Sequence, residues 1–222
     1  MLENKKIVVT GGAGVLGAAV GRIAKQQGAE VELLDVVPDF DSDIGITHTV
    51  DLTDVDAVRD CFARIGPFDA LANVAGGFDM GPTVHETADE QWDFLFKINV
   101  TTLRTVLHVA VPILIANGGG SIVNVGALGA LRGTGNMGAY TAAKSTVMRL
   151  TEALSDEIKG HGINVNAVLP SLIDTPRNRT DMPDADHATW VHPDDLAQVI
   201  CFLAADASRA VHGALIPVTG LV

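Results

Sequence analysis

Cysteine, tyrosine, basic residues and long apolar runs are all scarce in this chain of 222 residues, and each scarcity excludes something. The two cysteines, Cys61 and Cys201, form no CxxC pair and no Cys/His cluster, which argues against a disulfide framework or a zinc site. Each lies in an apolar helical pattern, so both are expected as buried free thiols in a reducing compartment. Lys and Arg number 15 against 27 Asp and Glu, a formal charge of -12. Such a surface repels phosphate backbones and anionic lipid, so neither nucleic acid nor membrane is an expected partner. The longest basic run is Lys5-Lys6. No apolar run reaches membrane-spanning length. The N-terminal residues carry no long apolar stretch with a small-residue cleavage site. The expectation is therefore a cytoplasmic protein. His85, His108, His161, His187, His192 and His212 show no spacing that suggests a metal site.

What is abundant is apolar and small: 47% hydrophobic residues and 23 glycines, with 19% charged. That balance fits one domain over 1–222 in which helices pack closely on a parallel sheet. The periodicity predicts strands at Ile7–Thr10, Glu30–Asp35, His48–Asp51, Ala70–Val74, Ser121–Val125, Asn164–Leu169 and Leu215–Val218. Helical spacing covers Val15–Gln27, a segment after Asp54 carrying Val58, Cys61, Phe62 and Ile65, roughly 87–116, 139–159 and Pro193–Ala205. The alternation predicts an α/β fold: a single Rossmann-type, doubly wound parallel sheet of about seven strands with helices on both faces. Ser171–Trp190 has no clear period and is the best candidate for a mobile loop over a site.

Between the first strand and first helix runs Gly11-Gly12-Ala13-Gly14-Val15-Leu16-Gly17. Gly12-x-Gly14-x-x-Gly17 fits a dinucleotide fingerprint, in which glycines admit the pyrophosphate and the helix N-terminus supplies N–H groups. Asp35 ends the second strand eighteen residues after Gly17. A carboxylate there can hold both ribose hydroxyls and would repel a 2′-phosphate. Neither the glycine loop nor Val36-Val37-Pro38 carries a basic residue, so NAD(H) is expected over NADP(H). Asp51-Leu52 and Asn73-Val74-Ala75-Gly76-Gly77 fall at later strand ends, where such ligands lie.

Tyr140, the only tyrosine, and Lys144 are spaced i, i+4 and share a helix face. Ala143, Val147, Leu150, Leu154 and Ile158 form a neighbouring apolar stripe. An ammonium beside a phenol favours the phenolate and lowers its pKa. The pair is therefore expected to act as general acid and base while nicotinamide carries hydride.

Together the glycine loop, Asp51, Asn73-Val74-Ala75-Gly76, Asn99, Tyr140-x-x-x-Lys144 and the segment from Pro170 resemble the short-chain dehydrogenase/reductase family along essentially the whole chain. The resemblance implies a nicotinamide cofactor and homodimers or homotetramers. It implies that Asn99 holds a relay water with Lys144, that Lys144 binds the nicotinamide ribose, and that Pro170, Ile173 and Thr175 flank the nicotinamide. Two positions depart from the pattern. Ala127 stands where the family places a catalytic serine, and Ser171 replaces a glycine. Thr134 or Ser171 could supply the hydroxyl instead. The second half is similar to the quinonoid dihydropteridine reductases of that family, which also lack the serine. A quinonoid ring accepts hydride readily and needs less polarisation than a plain ketone, for which a lost oxyanion donor typically costs about 2.7–4 kcal/mol. Three readings follow: an NADH-dependent reductase of a small carbonyl or quinonoid substrate, a ketone/alcohol or 3-oxoacyl-type reductase with a substitute for the serine, and a catalytically silent NAD-binding sensor.

Overall fold

The computed structural model describes all residues except Asp39 and Asp41. Seven parallel strands form one sheet in the order β3-β2-β1-β4-β5-β6-β7. They are β1 (Lys6–Thr10), β2 (Glu30–Asp35), β3 (Ile46–Thr49), β4 (Ala70–Asn73), β5 (Gly120–Val125), β6 (Ile163–Pro170) and β7 (Leu215–Val218). Helices α1 (Val15–Gln26) and α7 (Pro193–Ala204) pack on one face; α2 (Val55–Ile65), α4 (Thr102–Ala116) and the C-terminal part of α5 (Gly138–Ile158) pack on the other. The strand order reverses between β1 and β4, and the C-terminal ends of those strands bound a crevice.

Alternation along the strands builds two cores. Val9, Leu33 and Ala72 face α1 and α7, while Val8, Leu34 and Leu71 face α2 and α4. Phe62 and Phe68 are fully buried, with ring centroids 5.5 Å apart. Each such side chain contributes roughly 1.5–3 kcal/mol by leaving water. Asp54 caps α2 by accepting from Asp56 and Ala57 N–H, as Ser, Thr, Asp and Asn do at helix starts. Gly119, at φ 138°, makes the turn from α4 into β5, where a Cβ would meet the Gly162 carbonyl at 2.7 Å.

Three expectations need correction. The third strand is Ile46–Thr49 rather than His48–Asp51, because it pairs Glu32–Asp35 and Asp51 is drawn into the turn before α2. Ser171–Trp190 is not a plain loop. It holds a short helix, α6 (Pro176–Asp181), capped by Thr175, and Ile173 bridges Val191. The 28 residues Asp89–Ala116 hold an 18-residue window of mean hydropathy 1.6, enough by length and composition to cross a membrane. They comprise α3 (Asp89–Phe96), a π-helical turn at Lys97–Thr101 and α4. Val106, Ala110 and Leu114 of this run are buried in the core.

Candidate active site

The glycine loop connects β1 to α1 at the crevice. Gly11 has φ 72°, and a Cβ there would lie 2.9 Å from Ala75 N. A Cβ on Gly17 would lie 2.0 Å from the Gly11 carbonyl, so only glycine lets α1 approach its own loop. Gly14 precedes α1 without a side-chain cap, so the N–H groups of its first turn are available to an anion. Val15 is exposed and Leu16 half-buried against the core. Thr10 Oγ1 accepts from Val74 and Ala75 N–H at 3.1 Å each, clasping the tips of β1 and β4.

Asp35 sits at the end of β2 as expected. Its Oδ2 accepts from Ala13 N–H at 3.0 Å and its Oδ1 from Val37 N–H at 3.2 Å. The carboxylate thus fixes the glycine loop and remains partly exposed beside Val36. Asp51 Oδ1 accepts from Thr53 N–H and hydroxyl at 2.8 and 2.7 Å, which holds its carboxyl below the usual carboxylate range. Leu52, Asn73, Ala75, Asn99 and Lys144 meet around one cavity. Gly76 is required there, since a Cβ would lie 2.8 Å from Asn99 Oδ1 and 3.2 Å from Lys144 Nζ. This cradle, with no room for side chains and a free helix terminus, fits a dinucleotide.

Tyr140 and Lys144 lie on the first turns of α5. Lys144 is 6% exposed, and its Nζ donates to the Val125 carbonyl at 2.9 Å. Burial pushes its amine down to about 8. Burial also pushes the Tyr140 phenol up to about 12. This reverses the expected direction: desolvation outweighs any ammonium effect, so Tyr140 is held as a proton donor. Asn99 lies in the π-helical turn, a distortion often found at functional sites. Its Nδ2 donates to the Gly77 and Leu95 carbonyls and its Oδ1 accepts from Gly77 N–H. Both Nδ2 protons are therefore spent on backbone, so a water held by Asn99 would be held by its oxygens.

Pro170 ends β6, Ile173 forms the bridge to Val191, and Thr175 caps α6, so all three stand at the carboxyl end of the sheet. Ser171 Oγ donates to the Thr219 carbonyl at 2.7 Å, and Thr134 is exposed in the loop before α5. Among the described residues neither hydroxyl is hydrogen-bonded to Tyr140. Of the stripe on α5, Ala143, Val147 and Ile158 are buried, whereas Leu150 and Leu154 line a surface groove. Among the described residues no group of three His, Cys, Asp or Glu is placed to hold a metal.

Sequence reasoning missed Phe78, whose ring meets that of Tyr140 edge-on at 4.9 Å while remaining 39% exposed. Its only signal was an aromatic directly after the glycines at the tip of β4. It also missed a buried chain of amides behind the site. Asn73 Nδ2 donates to Asn124 Oδ1, Asn124 Nδ2 to Thr151 Oγ1, and Thr151 Oγ1 to the Val147 carbonyl.

A family profile described as enoyl-(acyl carrier protein) reductase matches residues 11–220. The chain is 31% identical to the 3-oxoacyl-[acyl-carrier-protein] reductase FabG of Thermotoga maritima, over 99% of this chain and 98% of that protein. It superposes with TM-score 0.90 on a putative 2-deoxy-d-gluconate 3-dehydrogenase from Agrobacterium tumefaciens with bound NADP, at 32% identity over 99% and 96% of the two chains. It superposes with TM-score 0.89 on carveol dehydrogenase from Mycobacterium avium in complex with NAD, at 26% identity over 99% and 97%.

Proposed function

Since the chain belongs to the short-chain dehydrogenase/reductase family, we propose that it is an NADH-preferring reductase of a small cyclic carbonyl or quinonoid (dihydropteridine-like) substrate. The observation that carries this reading is a single proton donor facing an apolar wall. Tyr140 is held protonated, Ala127 lacks a hydroxyl, and Phe78 stands edge-on to the phenol. Bound nicotinamide would supply the hydride. Tyr140 O–H would donate to the oxygen or nitrogen on which charge develops. Lys144 would bind the nicotinamide ribose and favour the phenolate that results. With one donor rather than two, the site suits an acceptor that needs little polarisation.

Asp35 supports the choice of NADH. Its carboxylate is positioned by the Ala13 and Val37 N–H groups, and a 2′-phosphate beside it would meet like charge with no basic residue among Val36, Val37 and Pro38. The glycine loop, Leu52, Ala75 and Gly76 would border the rest of the nucleotide, with Pro170, Ile173 and Thr175 beside the nicotinamide. The two buried thiols agree with a cytoplasmic setting. A groove of ≈ 450 Å³ between α4 and α5, lined by Leu107, Leu150 and Leu154 among others, supports assembly as a homodimer or homotetramer.

The test is an oxidation screen of NADH and NADPH against quinonoid dihydropterin, quinones, cyclic ketones and 3-oxoacyl thioesters. Turnover of quinonoid or cyclic acceptors with NADH is expected. A preference for NADPH would remove the role given to Asp35. Tight NADH binding without turnover on any acceptor would favour a silent sensor.

A further inference from the structure

Between the tips of β1, β4 and β5 and the helices α4 and α5 lies a cavity of ≈ 10 Å³. Its polar walls are Thr10, Asn73, Asn99, Thr102, Asn124 and Lys144. That is about the space one water centre requires, and a water there needs two to four polar partners.

The amide chain behind the site has a fixed direction. It ends on the Val147 carbonyl, which can only accept. Thr151 must therefore accept from the Asn124 amide nitrogen, and Asn124 Oδ1 must accept from the Asn73 nitrogen. This leaves Asn73 Oδ1 as the acceptor at the head of the chain. It is buried and has no partner among the described residues, in a side chain 6% exposed. A buried acceptor left unpaired costs roughly 1–3 kcal/mol. The other walls narrow the choice of donor. Both Asn99 Nδ2 protons go to carbonyls, and Thr102 Oγ1 donates to the Ile98 carbonyl. Lys144 uses one of its three N–H groups on Val125, and Thr10 Oγ1 accepts two bonds while its own proton remains to give.

We propose that this cavity is a built single-water site, in which the water donates to Asn73 Oδ1 and accepts from Lys144 Nζ, so that Asn73 is a positioning residue that hydrates the lysine ammonium from inside the protein. The site draws on no proton of the Asn99 amide, since both go to carbonyls. The consequence rests on the reading of Lys144 as a ribose-binding cation. Burial lowers the amine to about 8, and an internal water opposes that fall. Among the described residues no charged side chain shifts the Lys144 amine. Tyr140 is the one titratable group beside it on α5, and β4, β5, the π-helical turn and α4 present only Asn73, Asn124, the Val125 carbonyl, Asn99 and Thr102.

Three measurements test this on the full chain. A crystal structure of the wild type should show one ordered water within hydrogen-bond reach of both Asn73 Oδ1 and Lys144 Nζ. Its absence, or a direct bond from Lys144 or Thr10 to Asn73 Oδ1, overturns the proposal. The Lys144 amine is then titrated by NMR on lysine-labelled protein, with Lys144→Met to assign the signal. Asn73→Leu should lower its midpoint by about one pH unit, and Asn73→Asp should raise it by a similar amount. A merely structural role would not move the two variants in opposite directions, and an unmoved midpoint in both overturns the proposal. If Asn73→Leu fails to fold, because Asn124 Oδ1 loses its donor, Asn73→Ser and the wild-type water decide. None of these readouts uses turnover, so failure of the proposed activity and failure of the water site are distinguishable.

Discussion

Lys144 is folded at the expense of its own solvation. Its amine has a pKa near 10.5 in the unfolded chain and about 8 in the folded protein. Protonation therefore opposes folding below pH 8, and that opposition fades as pH rises from 8 toward 10.5. Lys144→Met should raise the stability of the cofactor-free protein at pH 7, by about 1–3 kcal/mol, and gain less at pH 10. Chemical unfolding at the two pH values checks this; a variant destabilised equally at both would contradict it. Under the ribose-binding role proposed for Lys144, affinity for the nicotinamide nucleotide should weaken above about pH 8, as the ammonium is lost. Two neighbours of Tyr140 bear on the proposed substrate class. Ala127→Ser should accelerate plain ketones by about tenfold or more while changing quinonoid turnover little, because it restores an oxyanion donor. Phe78→Ala should raise KM for ring substrates roughly two- to tenfold, the usual value of an aromatic contact, and leave acyclic ones unchanged. Steady-state kinetics on one ring and one open-chain substrate separates these outcomes. Tyr140 and Lys144 were legible in the sequence because a helix brings i and i+4 together without any tertiary help. Phe78 lies 62 positions before Tyr140. Only the fold could show that contact.

At the scale of elements, the segment after β6 is stapled rather than loose. The Arg179 guanidinium donates to both Asp174 carboxylate oxygens, at 2.5 and 2.7 Å, and holds that carboxyl below its usual range. Asn178 Nδ2 donates to the Ile173 carbonyl, and the His187 ring contacts Trp190 at 4.5 Å. Arg179→Ala should raise the substrate KM several-fold with little loss of thermal stability, since exposed pairs add little to folding. Proteolysis within this segment should quicken, which an unchanged digestion pattern would rule out. Sequence periodicity missed α6 because six residues hold too few repeats to show a period. The buried central strands were readable nearly to the residue, since each is a run of apolar side chains bounded by turns. The third strand slipped by two positions because it lies at the sheet edge, where Ile46 and Thr49 are exposed and burial sets no pattern.

The whole molecule joins two large cores across one sheet, with a smaller cluster around Ala127, Met148 and Leu169, and the site lies at the carboxyl ends of the strands. Such an architecture was legible from the βα alternation, because parallel strands demand crossover helices. Its net charge of -12 disfavours close approach of copies wherever acidic charge is added. Leu150→Glu, in the groove between α4 and α5, should therefore shift an assembled protein toward monomers in sedimentation. A wild type that sediments as a monomer at all concentrations would refute that placement. The π-helical turn at Lys97–Thr101 carries a final consequence at this scale. An α-helix advances about 100° per residue, so one added residue rotates everything beyond it by that angle. Leu95 before the shift, Asn99 within it, and Leu103, Val106, Ala110 and Leu114 after it all face inward. Excising Ile98 would yield a smoother rod that could seat either half correctly but not both, so the irregular turn is the joint by which the placement of Asn99 at the cavity and core packing share one helix.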